Sequence, residues 1–324
     1  MFIKNSNNPI IQRTLGSFHS IHAANPDLLE FKDKIIMYFR GQGSELHDQI
    51  GVGHVSSHEF DGVNWNFHKN NPVIEVSKNK AEFDSNHILD PAAITYQNKV
   101  FLYYSGHSYE KSQGIGLAIS ENGFDFDKKG LVIEHAIAPE VVLKDGLMHL
   151  FYQRKNGNHF EFYKCTSKDG VNFSKENETM IFGPSHKDGE FDSFSITTCR
   201  IYKEGDTYFM TYSGCKRFAD YPEAFGLAKS SDLIHWDRFP DNPILHRGNA
   251  GEWDEGAIWF PTVYKHEDKY YLWYEGSGAG LGIESKEAIE ASDICRNKDY
   301  GGYAKINFSQ IGLAIYDGKM KDWK

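Results

Sequence analysis

The chain has 324 residues, a formal net charge of −10 and a pI near 5.8. That balance argues against a nucleic-acid partner, which calls for a basic face. No apolar run reaches bilayer-spanning length and no charged-then-apolar leader opens the chain, so a cytoplasmic protein with no membrane partner is expected from Met1 onward. The four cysteines lie far apart in sequence, without Cys-x-x-Cys spacing, and read as reduced, mostly buried thiols; neither a metal nor a cofactor is expected.

The first stretch, Phe2 to Ile11 (FIKNSNNPII), is a short strand broken by an Asn-Pro turn. A loop, residues 12 to 25, carries His19 and His22, readable as ordinary surface histidines or as the rim of a central funnel. Then comes a unit that recurs. NPDLLEFKDKIIMYFRG opens at Asn25-Pro26, and ILDPAAITYQNKVFLYYSG contains Asp90-Pro91. APEVVLKDGLMHLFYQR opens at Ala138-Pro139, TCRIYKEGDTYFMTYSG at Thr198-Cys199, and FPTVYKHEDKYYLWYEG at Phe260-Pro261. Each reads as two strands joined by a polar turn. A second piece repeats behind most of them: Ile50-Gly51-Val52-Gly53, which precedes His54 on a third strand, then Ile115 to Ala118, Phe225 to Ala228 and Ile311 to Ala314. Asp-Gly or Asn-Gly hairpin signals follow at Asp61, Asn122, Asp169 and Asp317.

The anchors at 26, 91, 139, 199 and 261 are 65, 48, 60 and 62 residues apart, room in each step for four short strands. A fixed repeat of four-stranded units predicts an all-β propeller of five antiparallel blades, one domain over residues 1 to 324. Trp65 to Ile74 and Trp236 to Leu245 repeat the Asn-Pro strand of the N-terminus. The fifth blade stops at Asp317-Gly318, so the N-terminal strand is expected to complete it and leave no open edge. Ser285 to Cys295, inside an insertion from Gly278 to Ser309, predicts a short helix on blade five.

Three acidic-aromatic lead-ins, around Asp84, Asp192 and Asp254, read as structural because one site does not need three. In a propeller the innermost strands line the axis. The residues before the anchors (Asn25, Asp90, Ala138, Thr198, Phe260) and after them (Asp27, Ala92, Glu140, Arg200, Thr262) lie two apart and are expected to point the same way. Carboxylates converging there suit glycoside chemistry, with one acid and one base or nucleophile. Asp90, Glu140 and Glu255 are the catalytic candidates. Asn25, Arg40, His54, Arg154, Arg200 and Trp259 are the candidates for holding the sugar, Arg40 and Arg154 because they end matching strands.

Through Tyr38-Phe39-Arg40, Asp90-Pro91, Pro139-Glu140 and Gln153-Arg154 the chain resembles the five-bladed glycoside hydrolases of families 43, 32 and 130, most of all family 130. The resemblance implies a carbohydrate substrate and, from the Glu-Asp-Pro-Arg motif, Asp90 as proton donor. Leu89 and Ala92 stand where that motif has Glu and Arg, which weakens phosphorolysis. The family 43 register instead groups Asp90, Asp192 and Glu255. The expected function is glycoside hydrolysis. A phosphorylase, a transglycosidase or a non-catalytic carbohydrate-binding propeller are the alternatives.

Overall fold

The computed structural model describes residues 1–110, 113–249, 251–278 and 308–320. The helix expected over Ser285 to Cys295 lies outside them. The strands are β1 (Ile3–Lys4), then β2 (His22–Phe31), β3 (Lys34–Gln42), β4 (Asp48–Ser56) and β5 (Asn66–Phe67) of blade one. Blade two is β6 (His87–Tyr96), β7 (Lys99–His107), β8 (Gly114–Ser120) and β9 (Asp127–Glu134). Blade three is β10 (Ile137–Lys144), β11 (Leu147–Asn156), β12 (His159–Ser167) and β13 (Thr179–Phe182). Blade four is β14 (Ser195–Glu204), β15 (Thr207–Cys215), β16 (Ala224–Ser230), β17 (Asp237–Arg238) and a short β18 (Leu245–His246). Blade five is β19 (Ala257–His266), β20 (Lys269–Gly278) and β21 (Phe308–Asp317). Every sheet is antiparallel, and β1 pairs with β21, Ile3 opposite Ile315 and Lys4 opposite Ala314. The five-bladed ring closed by its N-terminus is therefore observed as expected.

The closure has a side-chain device. Asn8 sits beside β21 and its amide both donates to Leu313 O (2.9 Å) and accepts from Leu313 N–H (2.8 Å). Asn71 does the same to Val52 in blade one, and Asn242 to Leu227 in blade four. One side chain thus completes the third strand's ladder where the Asn-Pro turn lifts the outer chain away.

The three lead-in aspartates are structural in a way different from a turn cap. Asp84, Asp192 and Asp254 are buried. Each accepts a tyrosine hydroxyl from the second strand of its blade, Tyr104, Tyr212 and Tyr274, at 2.9 to 3.0 Å. Each also pairs with a cation from the fourth strand: Lys128, Arg238 and Lys4. Lys4 therefore pins the N-terminal strand as Lys128 and Arg238 pin their own. Blade one replaces the whole set together. Phe18 packs on Gly41 and Gly51, and His19 lies against Phe39 and Phe67 instead of a tyrosine and a cation. Burial pushes His19 down to about 4, so it sits there neutral, part of the apolar packing and not of the funnel rim.

Asn8→Ala strips both ladder partners from Leu313 in the closing strand. A loss of about 1–3 kcal/mol, read as a lower midpoint in chemical denaturation, is expected. An unchanged midpoint would mean that the N-terminal strand is not what shuts the ring.

Candidate active site

The residues just before the anchors are not in plain strand conformation. Asn25, Asp90, Ala138, Thr198 and Phe260 all have positive φ, between 43° and 56°, and the pairing register of each innermost strand slips at that point. These are β-bulges, five in a ring. A bulge breaks the alternation of side chains, so the expectation that the residues before and after the anchor point the same way fails. The two sets line two different cavities on the axis, of about 340 Å³ and about 110 Å³.

The smaller cavity is a fastening. Arg200 in blade four reaches every other blade: Pro91 O at 2.8 Å, Pro139 O at 3.0 Å, Thr262 Oγ1 at 3.2 Å and Asp27 at 3.4 Å. It also meets Cys199 O at 3.3 Å and Glu140 at 3.4 Å. Thr262 donates to Pro26 O (2.7 Å) and Thr211 to Pro261 O (2.5 Å). All five anchor carbonyls are turned inward by the bulges, and all five are satisfied by one guanidinium and two hydroxyls. Asp27 and Glu140 are matching latches: Asp27 accepts from Ala93 N–H in blade two (2.7 Å), Glu140 from Ile201 N–H in blade four (3.0 Å). Burial pushes Asp27 up to about 6 and Glu140 up to about 8 against the pull of Arg200. Glu140 and Arg200 thus share this cavity with each other and not with Asp90.

The larger cavity holds Asn25, Asp90 and Trp259 among the bulge-strand residues and Arg40 from β3. The second strands supply a matching ring: Arg40, Ser105, Gln153, Ser213 and Glu275 face Ala24, Leu89, Ile137, Thr197 and Trp259 in register. In four junctions the polar side chain of one blade satisfies the bulge N–H of the next. Ser105 accepts from Ala138 N (2.9 Å), Gln153 from Thr198 N (3.1 Å), Glu275 from Asn25 N, and Thr198, bonded to Ser213, from Phe260 N (3.0 Å). The fifth junction, blade one to blade two, breaks the rule. Its second-strand residue is the cation Arg40, and the bulge residue it faces is Asp90.

Asp90 is buried, and its carboxyl is pushed up by that burial against the pull of Ser105, Arg40 and His107. Asn25 Nδ2 donates to its Oδ1 at 2.6 Å. Glu275 is pushed up by burial too, although Arg40 (3.2 Å) and the Ser309 hydroxyl (2.5 Å) hold it from both sides. Arg40 is shared with Asp48 at 3.5 Å; burial would raise Asp48, but Arg40 and His87 hold it below the usual carboxylate range. Asp220, from the loop between β15 and β16, is fixed by Trp259 Nε1 at 2.8 Å. Its carboxyl is raised by burial and by the charge of Asp90. His22 accepts from Ser309 N–H through Nδ1 (3.1 Å), and burial pushes it down to about 3. The neutral ring's proton therefore sits on Nε2, a donor for the cavity that it lines.

The other expected residues lie elsewhere. Glu255 accepts from Gly251 N–H within its own loop. His54 packs on Phe124 between blades. Arg154 pairs with Glu178 and donates to Glu134 O and His135 O. The residue of blade three equivalent to Arg40 is Gln153; one step along a strand turns a side chain to the opposite face. Among the described residues no group of three His, Cys, Asp or Glu side chains is arranged to hold a metal ion. Cys165, Cys199 and Cys215 are buried thiols.

No family model matches the sequence, and no curated protein matches it. Solved structures do. A β-1,2-mannobiose phosphorylase from Listeria innocua, in complex with β-1,2-mannobiose, superposes with a TM-score of 0.71 at 12% identity, covering 98% of this chain and 96% of that one. An N-acetylgalactosamine deacetylase from F. plautii, in complex with blood group B trisaccharide, gives 0.71 at 13% identity over 97% and 95%. A thermostable family-43 glycoside hydrolase gives 0.61 at 17% over 82% and 87%. The fold is that of the five-bladed glycosidase propellers. Identity this low carries the fold and leaves the chemistry to the residues.

Glu140 supplies a test of the lower cavity. A carboxyl raised on folding binds its proton more tightly in the folded than in the unfolded state. Between its ordinary value near 4.5 and about 8 the folded protein therefore holds the extra proton and loses stability as pH rises. Glu140→Gln should flatten that decline in denaturation curves taken at pH 5 and pH 8; parallel curves for the two proteins would contradict the assignment.

Proposed function

We propose that the protein is a glycoside hydrolase whose general acid is Asp90 and whose base is Asp220, both in the larger axial cavity. The observation that carries this reading is the broken junction between blades one and two. Three blades use the second-strand position to fasten their neighbour and blade four uses Thr198, whereas blade one places a cation there beside a buried acid. Burial favours the protonated form of Asp90, the state a proton donor to a leaving glycosidic oxygen must hold. Arg40, Ser105 and Asn25 stabilise the carboxylate left after transfer. Asp220, held through one oxygen by Trp259, is oriented to activate water. Trp259 and Phe260 offer aromatic surface to a sugar ring, and His22 and Gln153 offer polar contacts for hydroxyls. Glu275, held by three donors, positions Arg40 and Asn25.

Arg40 is the one Lys or Arg among the described residues that line the cavity, and Asp48 and Glu275 already engage it. A phosphate nucleophile would need more positive charge, which favours water over phosphate. The carbohydrate neighbours support a sugar as substrate; β-1,2-mannobiose, bound by one of them, belongs in the first panel.

Aryl glycosides and oligosaccharides, each with and without phosphate, give the direct test. Turnover without phosphate is expected, and Asp90→Asn should lower kcat by about 10²–10⁴-fold while leaving the fold intact. The rate should fall on the alkaline side as Asp90 loses its proton, and Asp220→Asn should remove the acidic limb instead. Full activity in Asp90→Asn, or strict dependence on phosphate, would overturn the reading. Saturable sugar binding with no turnover would make the protein a binding module.

A further inference from the structure

A third cavity, about 1010 Å³, opens between blades one and two on the same face as the larger axial cavity. It lies among the loop before β2, the β3–β4 loop, the segment before β6 and the β7–β8 loop, all at the end of the blades where Asp90 and Arg40 sit. A row of imidazoles leads from it towards the site. His47 lines the groove, His107 lines the axial cavity, and His87 stands between them, ring centroids 6.3 Å from His47 and 6.5 Å from His107. The row is built firmly. His87 Nδ1 is 2.8 Å from Asp48, the carboxylate that also holds Arg40. His47 Nδ1 donates to Asn86 O at 2.7 Å, which turns Nε2 away from that bond and leaves it for the groove.

The lining identifies the chemical class. Glutamates and lysines occur together, Glu45, Glu75 and Glu110 with Lys78 and Lys80, so the groove selects neither a polyanion nor a polycation. Serine hydroxyls and the Gln49 amide intersperse them. Tyr109 is 86% exposed at the edge, a large aromatic left in water without a packing reason. A ring of that kind beside mixed hydroxyl and amide groups suits the alternating apolar and hydroxylated faces of a pyranose.

We propose that this groove holds further sugar units of an oligosaccharide whose reacting unit occupies the axial cavity. The chain crosses the His47–His87–His107 row, and the substrate is a polymer or longer oligosaccharide, not a disaccharide alone. This rests on the glycoside hydrolase reading above.

The test compares a disaccharide with a longer chain of the same linkage from the panel that is turned over. The ratio of kcat/KM, long over short, should be about tenfold or more in the wild type and should collapse towards one in Tyr109→Ala and in His47→Ala. A wild-type ratio near one, or a ratio that survives both substitutions, overturns the proposal while leaving hydrolysis itself standing. If no chain is cleaved, calorimetry with the same sugars separates the two failures. Tighter binding of longer chains that Tyr109→Ala abolishes supports the groove although hydrolysis has failed. Binding independent of length, or no binding, overturns it.

Discussion

Five carbonyl groups pointing at one axis are the constraint on which the molecule is built. Each innermost strand passes through a left-handed bulge, and non-glycine residues in that conformation cost about 1–3 kcal/mol apiece. Five converging carbonyl dipoles would add repulsion and unmet hydrogen bonds. Arg200 resolves both: one planar fork of five donors reaches into all four other blades, with Thr211 and Thr262 completing the set. Asp27 balances its charge, and Asp27 and Glu140 lock neighbouring blades at the same height. The strain is therefore held by a network that spans the ring.

The bulges also divide the axis. Side chains after the anchor are consumed in the fastening, and those before it are released into the larger cavity. There the repeat continues as polar side chains capping the next blade's bulge N–H, three from second strands and one from Thr198, until blade one supplies Arg40 in place of an acceptor. A repeating architecture makes such a departure informative, because in the four other blades a polar side chain meets the structural need. Asp90, Asn25, Arg40, Asp48 and Glu275 form one connected polar system at that seam, and the histidine row continues it outward. The seam between blades one and two is where fold repetition gives way to chemistry.

Much of this was legible in the sequence. The period, the five anchors and the Asn-Pro strand at the N-terminus were sufficient for the ring and its closure, because Asn8, Asn71 and Asn242 serve the same purpose in three blades. Asp84 and Asp192 were correctly set aside as structural, although their partners, a tyrosine and a distant cation, come from other strands. What misled was period-two reasoning across a bulge. It placed Glu140 and Arg200 with Asp90, and nothing in Ala138-Pro139-Glu140 signals a positive φ at alanine. Glu275 was available from the alignment that found Arg40, since Tyr274-Glu275-Gly276 stands where Phe39-Arg40-Gly41 does; the same alignment selects Gln153 over Arg154. Asp220 comes from the β15–β16 loop, whose residues do not repeat in the other blades, and its place in the cavity and its contact with Trp259 reveal it.

The most direct measurement is the position of a bound sugar in crystals of the Asp90→Asn variant soaked with a cleavable oligosaccharide. The account predicts a glycosidic oxygen within hydrogen-bonding distance of residue 90, with Asp220 and His22 on the same sugar and the fastening around Arg200 undisturbed. A sugar seated instead against Glu140 and Arg200, or away from the axis altogether, would contradict it.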